Sequence, residues 1–257
     1  MQLHYRTIGE STPDHPSIII LHGVFGTSDN WQTFGKALSN QYHILLVDQR
    51  NHGQSPHSDQ FNYPAMADDL QELVTTHKLA QPVVIGHSMG GKTAMFFAVR
   101  YPELLSRLII VDIAPRAYPP HHQAVLDAFA AVDIAQLKSR QQAQQAMKPY
   151  VSDPGVQQFL LKNLRRTDDG FAWKLNLPII RDNIQEIGEA VPTDITFNKL
   201  TLFVRGAKSD YILDEDQDLI KQIFPKARLE TVPDAGHWVH AEQPEALIKI
   251  VTNFLTE

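Results

Sequence analysis

The stretch Pro82-Val83-Val84-Ile85-Gly86-His87-Ser88-Met89-Gly90-Gly91-Lys92 decides the fold. Its first four residues are apolar, which predicts a buried strand over 82–85. The run KTAMFFAVRY that starts at Lys92 reads as a helix. Between them stands Gly86-x-Ser88-x-Gly90, in the strand–turn–helix setting that a nucleophile elbow requires. The glycines permit a tight turn that a Cβ would obstruct. Such a turn lifts the Ser88 hydroxyl to the carboxyl end of a sheet and aims the Met89 N–H at a developing oxyanion. The structural alternative is a glycine-rich connection without chemistry.

Outward from this stretch, short apolar runs recur at 17–21 (SIIIL), 43–47 (HILLV), 107–111 (RLIIV), 200–204 (LTLFV) and 228–232 (RLETV). The earlier runs are apolar nearly throughout, as strands buried on both faces of a parallel sheet are. Helical patterns lie between them. Met66, Leu70, Leu73 and His77 share one face after Pro64, and Leu247, Ile250, Val251 and Phe254 share another. This alternation predicts an α/β fold with a mostly parallel central sheet flanked by helices. It stops over 116–194, which holds helical patterns, prolines and aromatics (Tyr118, Phe129, Tyr150, Phe159, Phe171, Trp173) but no convincing strand. The Gln/Ala-rich part, 135–147, reads as a polar surface helix. The segment is too long for a loop. The expected organisation is a core of 1–115 and 195–257 with a helical cap, 116–194, inserted between two late strands.

A serine nucleophile needs a base, and the chain order expected of this fold is serine, acid, histidine. His237, in Asp234-Ala-Gly-His237-Trp238, follows the last predicted strand and is the candidate; His240 is its rival. Packing or surface roles are expected for His22, His87 and the pair His121–His122. Two aspartates compete as the acid. Asp112 ends the run 107–111 and Asp210 follows the run 200–204. The structural alternatives are a turn residue for Asp112 and a solvated acidic loop for Asp210. A second oxyanion donor should come from His22-Gly23-Val24-Phe25-Gly26, with Val24 N–H first and Phe25 next.

Composition narrows the rest. The 257 residues are 43% apolar and 20% charged, an ordinary globular balance for one large domain or two small ones. The absence of cysteine excludes disulfides, a thiolate nucleophile and cysteine metal sites. No His/Asp/Glu spacing resembles a metal site, and no cofactor is expected. A net charge of −6 without a basic run argues against nucleic acid. The apolar stretches are far short of the roughly 20 residues that span a membrane, and the N-terminus does not read as a signal peptide. These readings set the expectation of a cytoplasmic monomer acting on a small molecule. Residues 116–194 hold nine basic and nine acidic side chains, so the negative charge lies elsewhere. Lys162, Arg165 and Arg166 form their most evident basic cluster, which a solvated helix face would also explain.

The motifs HGVFG (22–26), DQRNHGQS (48–55), GHSMGG (86–91) and DAGHWVHAEQP (234–244) resemble the α/β-hydrolase superfamily over essentially the whole chain. The longer strings RNHGQSP, NYPAMADDL, GHSMGGK, DIAP and GHWVHAE resemble the bacterial YbfF-type esterases, a group related to mitochondrial abhydrolase-domain esterases. The resemblance implies hydrolysis of small acyl esters, and in some members acyl-CoA thioesters. Most superfamily members carry the acid three residues after a strand-ending glycine. Counted from Gly206, that slot holds Ser209, with Asp210 one position late. The YbfF-type group places it in a DIAP-like string, which Asp112 matches. The resemblance therefore implies the triad Ser88, Asp112 and His237. It makes 116–194 a lid whose aromatics line an acyl pocket. It casts Asp48, Arg50 and Gly53 as a turn-stabilising network, and Lys92 as a recurring residue expected to face solvent or a salt bridge. Other chemistry on the same scaffold (C–C hydrolase, lyase or perhydrolase) and a non-catalytic binding protein are the competing classes.

Overall fold

The computed structural model describes residues 1–12, 15–119 and 122–257. Pro120 and His121 of the sequence expectations lie outside them. The strands are β1 (Tyr5–Ile8), β2 (Ser17–Leu21), β3 (His43–Val47), β4 (Val83–His87), β5 (Arg107–Val111), β6 (Leu164–Thr167), β7 (Gly170–Trp173), β8 (Thr201–Gly206) and β9 (Ala227–Val232). The helices are α1 (Gln32–Leu38), α2 (Tyr63–Thr76), α3 (Met89–Arg100), α4 (Gln123–Ala130), α5 (Arg140–Met147), α6 (Pro154–Leu161), α7 (Leu177–Asp182), α8 (Gln217–Ile223), α9 (Val239–Glu242) and α10 (Pro244–Leu255). Seven strands form one sheet in the order β1-β3-β2-β4-β5-β8-β9. All neighbours are parallel except β1, which pairs antiparallel with β3.

The uniformly apolar strands are explained by burial on both sides. Along β2, Ile18 and Ile20 enter one core with α1 and α10, while Ile19 and Leu21 enter the other with α2 and α3. The same two-residue alternation sorts Ile44 from Leu45 in β3 and Ile109 from Leu108 in β5. Helix α2 starts where the sequence indicates: the Asn62 side chain caps Ala65 N–H, and Pro64 sits in the first turn. No helix among the described residues is long and apolar enough to cross a membrane.

Between β5 and β8 the chain passes through α4 to α7 and an antiparallel hairpin, β6–β7. The hairpin corrects the expectation that 116–194 lacks strands. Its turn is Asp168-Asp169-Gly170, with Gly170 at φ 144°, while Arg165 and Arg166 are exposed and dilute the strand's apolar pattern. The predicted helix over 135–147 is also divided. A 3-10 turn covers Ile134–Gln136, and α5 begins afresh after the Ser139 cap, burying Ala143 and Met147. This segment lies over the core through named bonds. Asn163 Nδ2 donates to Phe25 O at 2.7 Å, Asn176 N to Asn51 O at 3.0 Å, and Tyr63 Oη to Ile187 O at 2.6 Å.

Candidate active site

The parallel strands of the sheet end on one side, and the predicted chemical groups follow those ends. Ser88 follows β4, Asp112 follows β5, Val24 lies just past β2, and His237 lies just past β9. Ser88 takes φ 53° and ψ −121° between β4 and α3, a strained conformation for a residue with a Cβ. Its neighbours make the turn possible. A Cβ on Gly86 would stand 2.1 Å from Gly90 O, and one on Gly90 would stand 2.5 Å from Leu21 O. Met89 is the first residue of α3, so its N–H has no acceptor within the helix.

The histidine and the acid meet through tertiary structure. His237 Nδ1 is 2.8 Å from Asp112 Oδ2, and Asp112 is wholly buried. Asp112 Oδ1 accepts Gly206 N–H at 2.9 Å, and Oδ2 also accepts the Ser209 hydroxyl. Asp210 is exposed. Its backbone carbonyl accepts from Arg116, and its carboxylate is not the partner of His237. The rivalry between the two aspartates is thereby decided at the level of contact. Ser209, in the slot that the sequence comparison left without a carboxylate, hydrogen-bonds Asp112.

Tyr211 and His87 pack against His237, contacts that were missed in the sequence. Tyr211 stacks on it at 3.9 Å between ring centres, with 20° between planes. His87 Nε2–H donates to the His237 carbonyl at 2.9 Å, and the two imidazoles lie 4.7 Å apart. His240, the rival base, stacks on Trp31 at 4.3 Å and is half-buried. The loop after β2 is divided by function: Phe25 N–H reaches His52 Nε2 at 3.3 Å, whereas Val24 lines the cavities at Ser88.

Two cavities meet at Ser88. The larger, about 270 Å³, is mostly apolar and includes His237, Trp238, Phe25, Trp31, Val156 and Phe159 in its lining. The smaller, about 20 Å³, lies among Met89, Tyr63, Ile113, Tyr118, Ile184 and Ile187. Of the aromatics expected to line a pocket, Phe159 and Tyr118 do so. Phe129 and Trp173 pack on each other at 5.0 Å, and Tyr150 is exposed. The basic cluster is dispersed. Lys162 borders an outer groove beside Trp238, Arg165 borders a different groove with Lys174, and Arg166 lies over Phe171.

Lys92 departs from expectation more sharply. It faces neither solvent nor a carboxylate. Its buried ammonium donates to Pro115 O at 3.0 Å and to Arg116 O and Glu189 O at 2.6 Å. Burial, aided by nearby Arg116, lowers its pKa to about 7. The turn network of Asp48, Arg50 and Gly53 is observed. Asp48 accepts Ser28 and Gln54 N–H at 2.7 and 2.9 Å, and Arg50 makes a two-pronged pair with Asp69 at 2.7 and 2.9 Å.

Burial lowers the pKa of four histidines around the site: His22, His52, His87 and His240, with His52 and His240 brought to about 3. Each ring is neutral in the fold at pH values where the unfolded chain, with its ordinary value of 6.5, binds a proton. Stability is therefore full above about pH 6.5 and falls as pH drops toward the folded values. Each proton taken up on unfolding adds about 1.4 kcal/mol of loss per pH unit. Urea unfolding at pH 7.5, 6 and 5 is expected to show a steep decline below 6.5. A flat profile over that range would contradict the neutral burial of these rings.

The comparisons with known proteins agree with this construction. A family model described as alpha/beta hydrolase fold matches residues 16–244. The sn-1-specific diacylglycerol lipase ABHD11 of Mus musculus is 38% identical over 248 residues, covering 93% of this chain and 81% of that protein. Esterase YbfF of Escherichia coli strain K12 is 34% identical over 261 residues, covering both chains in full. A solved marine microorganism esterase superposes with a TM-score of 0.95 at 40% identity, covering 98% of this chain and 99% of that one. The chain belongs to the α/β-hydrolase family, and esterase YbfF is among its homologues.

Proposed function

We propose that Ser88, His237 and Asp112 form a catalytic triad that hydrolyses short- to medium-chain acyl esters through an acyl-enzyme. The chain is a carboxylic ester hydrolase of the esterase/lipase type, the class that its relatives' names carry. The observation that carries the finer reading is the 2.8 Å contact of His237 with buried Asp112, while His237 and the elbow serine line one cavity. In this mechanism Ser88 Oγ attacks the ester carbonyl as His237 Nε2 takes its proton. Asp112 holds the Nδ1–H and stabilises the imidazolium. The Met89 and Val24 N–H groups receive the oxyanion, each such donor being worth about 3 kcal/mol in the transition state. The imidazolium then protonates the leaving alcohol, and water repeats the sequence to release the acid. A thioester would follow the same steps with a thiol leaving. In this reading 116–194 is the cap that shields the acyl-enzyme from bulk water.

A fluorophosphonate probe tests the proposal directly. Folded wild type is expected to be labelled at Ser88 and to cleave p-nitrophenyl acetate and butyrate. Labelling at another residue, or none, would remove the nucleophile assignment. Labelling without ester turnover would favour other chemistry on the same scaffold.

A further inference from the structure

Building on the serine-esterase reading, we infer that the smaller pocket at Ser88 is the acyl site, and that the larger cavity takes the alcohol or thiol half. Three directions leave the attacked carbon besides the Ser88 bond. The oxyanion points to its N–H donors, the leaving atom must lie within reach of the imidazolium, and the acyl substituent takes what remains. His237 lines the larger cavity and is absent from the lining of the smaller one. Ser88 and Val24 line both cavities; past Met89 the smaller one is walled by Ile113, Ile184 and Ile187, apolar surroundings for an acyl substituent. The leaving group is thereby assigned to the cavity of about 270 Å³, and the acyl chain to the pocket of about 20 Å³.

The small pocket has room for about one or two water-sized groups, so within the proposed range of acyl chains it favours an acetyl methyl or a propionyl tail and slows the longer ones. Its outer wall is made by the two connections between 116–194 and the core, and polar pins hold that wall in place. Tyr63 Oη donates to Ile187 O at 2.6 Å, and Tyr118 N–H donates to Gly188 O at 2.8 Å. The connections touch backbone to backbone, since a Cβ on Gly188 would stand 2.3 Å from Tyr118 O. Behind them the Lys92 ammonium gathers carbonyls from both connections, at Pro115, Arg116 and Glu189. Widening the pocket would strip hydrogen bonds from a buried amino group and three backbone carbonyls, so a longer acyl chain meets a stiff wall. This gives Lys92 a role as a positioning residue. Ile187 lines the pocket from this wall.

The test uses two isomers, hexyl acetate and ethyl hexanoate, which have the same atoms and place the six-carbon chain on opposite sides of the ester. Wild type is expected to prefer hexyl acetate in kcat/KM by on the order of 10-fold or more. Ile187→Ala, with Ile187→Val as the milder step, should raise the ratio of kcat/KM for ethyl hexanoate to that for hexyl acetate. An equal or reversed preference in wild type would overturn the pocket assignment and leave the esterase reading standing. An unchanged preference in both Ile187 variants would overturn the role of this wall. If neither isomer is cleaved faster by wild type than by Ser88→Ala, the esterase reading fails, and the pocket assignment falls with it.

Discussion

Ser88→Ala is expected to lower kcat on p-nitrophenyl acetate by on the order of 10⁵- to 10⁶-fold, with stability changed by about 1 kcal/mol at most. The substitution removes one oxygen and keeps the Cβ. The strained φ of 53° therefore costs alanine about what it costs serine, and the close approach of Gly23 to the Ser88 Cβ is retained. The His237–Asp112 contact and the oxyanion donors do not depend on the hydroxyl. What is lost is the only atom that the proposed mechanism can acylate. The residual rate should reflect binding and oxyanion stabilisation alone. Thermal unfolding measured beside the kinetics separates chemistry from folding. A variant retaining a hundredth of wild-type turnover would exclude Ser88 as the nucleophile.

The second large effect is expected at Asp112. Its carboxylate accepts from three donors: His237 Nδ1, Gly206 N–H and the Ser209 hydroxyl. Asp112→Asn keeps the shape and leaves one oxygen to accept. If that oxygen keeps Gly206 N–H, the amide NH₂ faces His237 and drives the ring proton to Nε2. The base then cannot take the serine proton, and kcat should fall by about 10⁴-fold. The same change takes the charged acceptor away from the Ser209 hydroxyl, so a loss of about 1–3 kcal/mol in stability accompanies it. Asp210→Asn is the control. Its side chain is exposed, and turnover should stay within about twofold of wild type. If Asp210→Asn were the inactive variant and Asp112→Asn the active one, the acid would belong to the loop after β8.

The contrast between these residues shows what can be read locally. The elbow is a backbone problem. A strand, two glycines that exclude any Cβ and a following helix all lie within the eighteen residues 83–100, so the pattern is complete in one window. His237 was legible for a related reason, since it closes a loop between the last strand and the terminal helices. The acid was not. Asp112 and Asp210 each follow a strand, and only the motif DIAP favoured the former. Choosing between them from contact needs the geometry at the ends of β5, β8 and β9, which brings together Asp112 and His237, 125 residues apart in the chain. The stacking of Tyr211 on His237 and the Ser209 bond to Asp112 depend on that same convergence.

Lys92 and the hairpin β6–β7 fall on the tertiary side of the division. A lysine one turn into a helix has the same local signature in solvent as in the interior. Its burial arises because both connections to 116–194 cross above it and offer three carbonyls that its ammonium can serve. The hairpin carries arginines where an alternating strand would show apolar residues, and only Leu164 of β6 is buried. The two cavities at Ser88, and thus the division of a substrate between them, exist only where 116–194 lies over the core. By itself the sequence determined the strand–helix alternation, the strained serine turn and the position of the histidine, because each is set by backbone sterics and periodicity within a short window. The tertiary structure decided which carboxylate meets that histidine, what Lys92 holds and how large each pocket is, because those depend on the packing of segments that the chain brings together from afar.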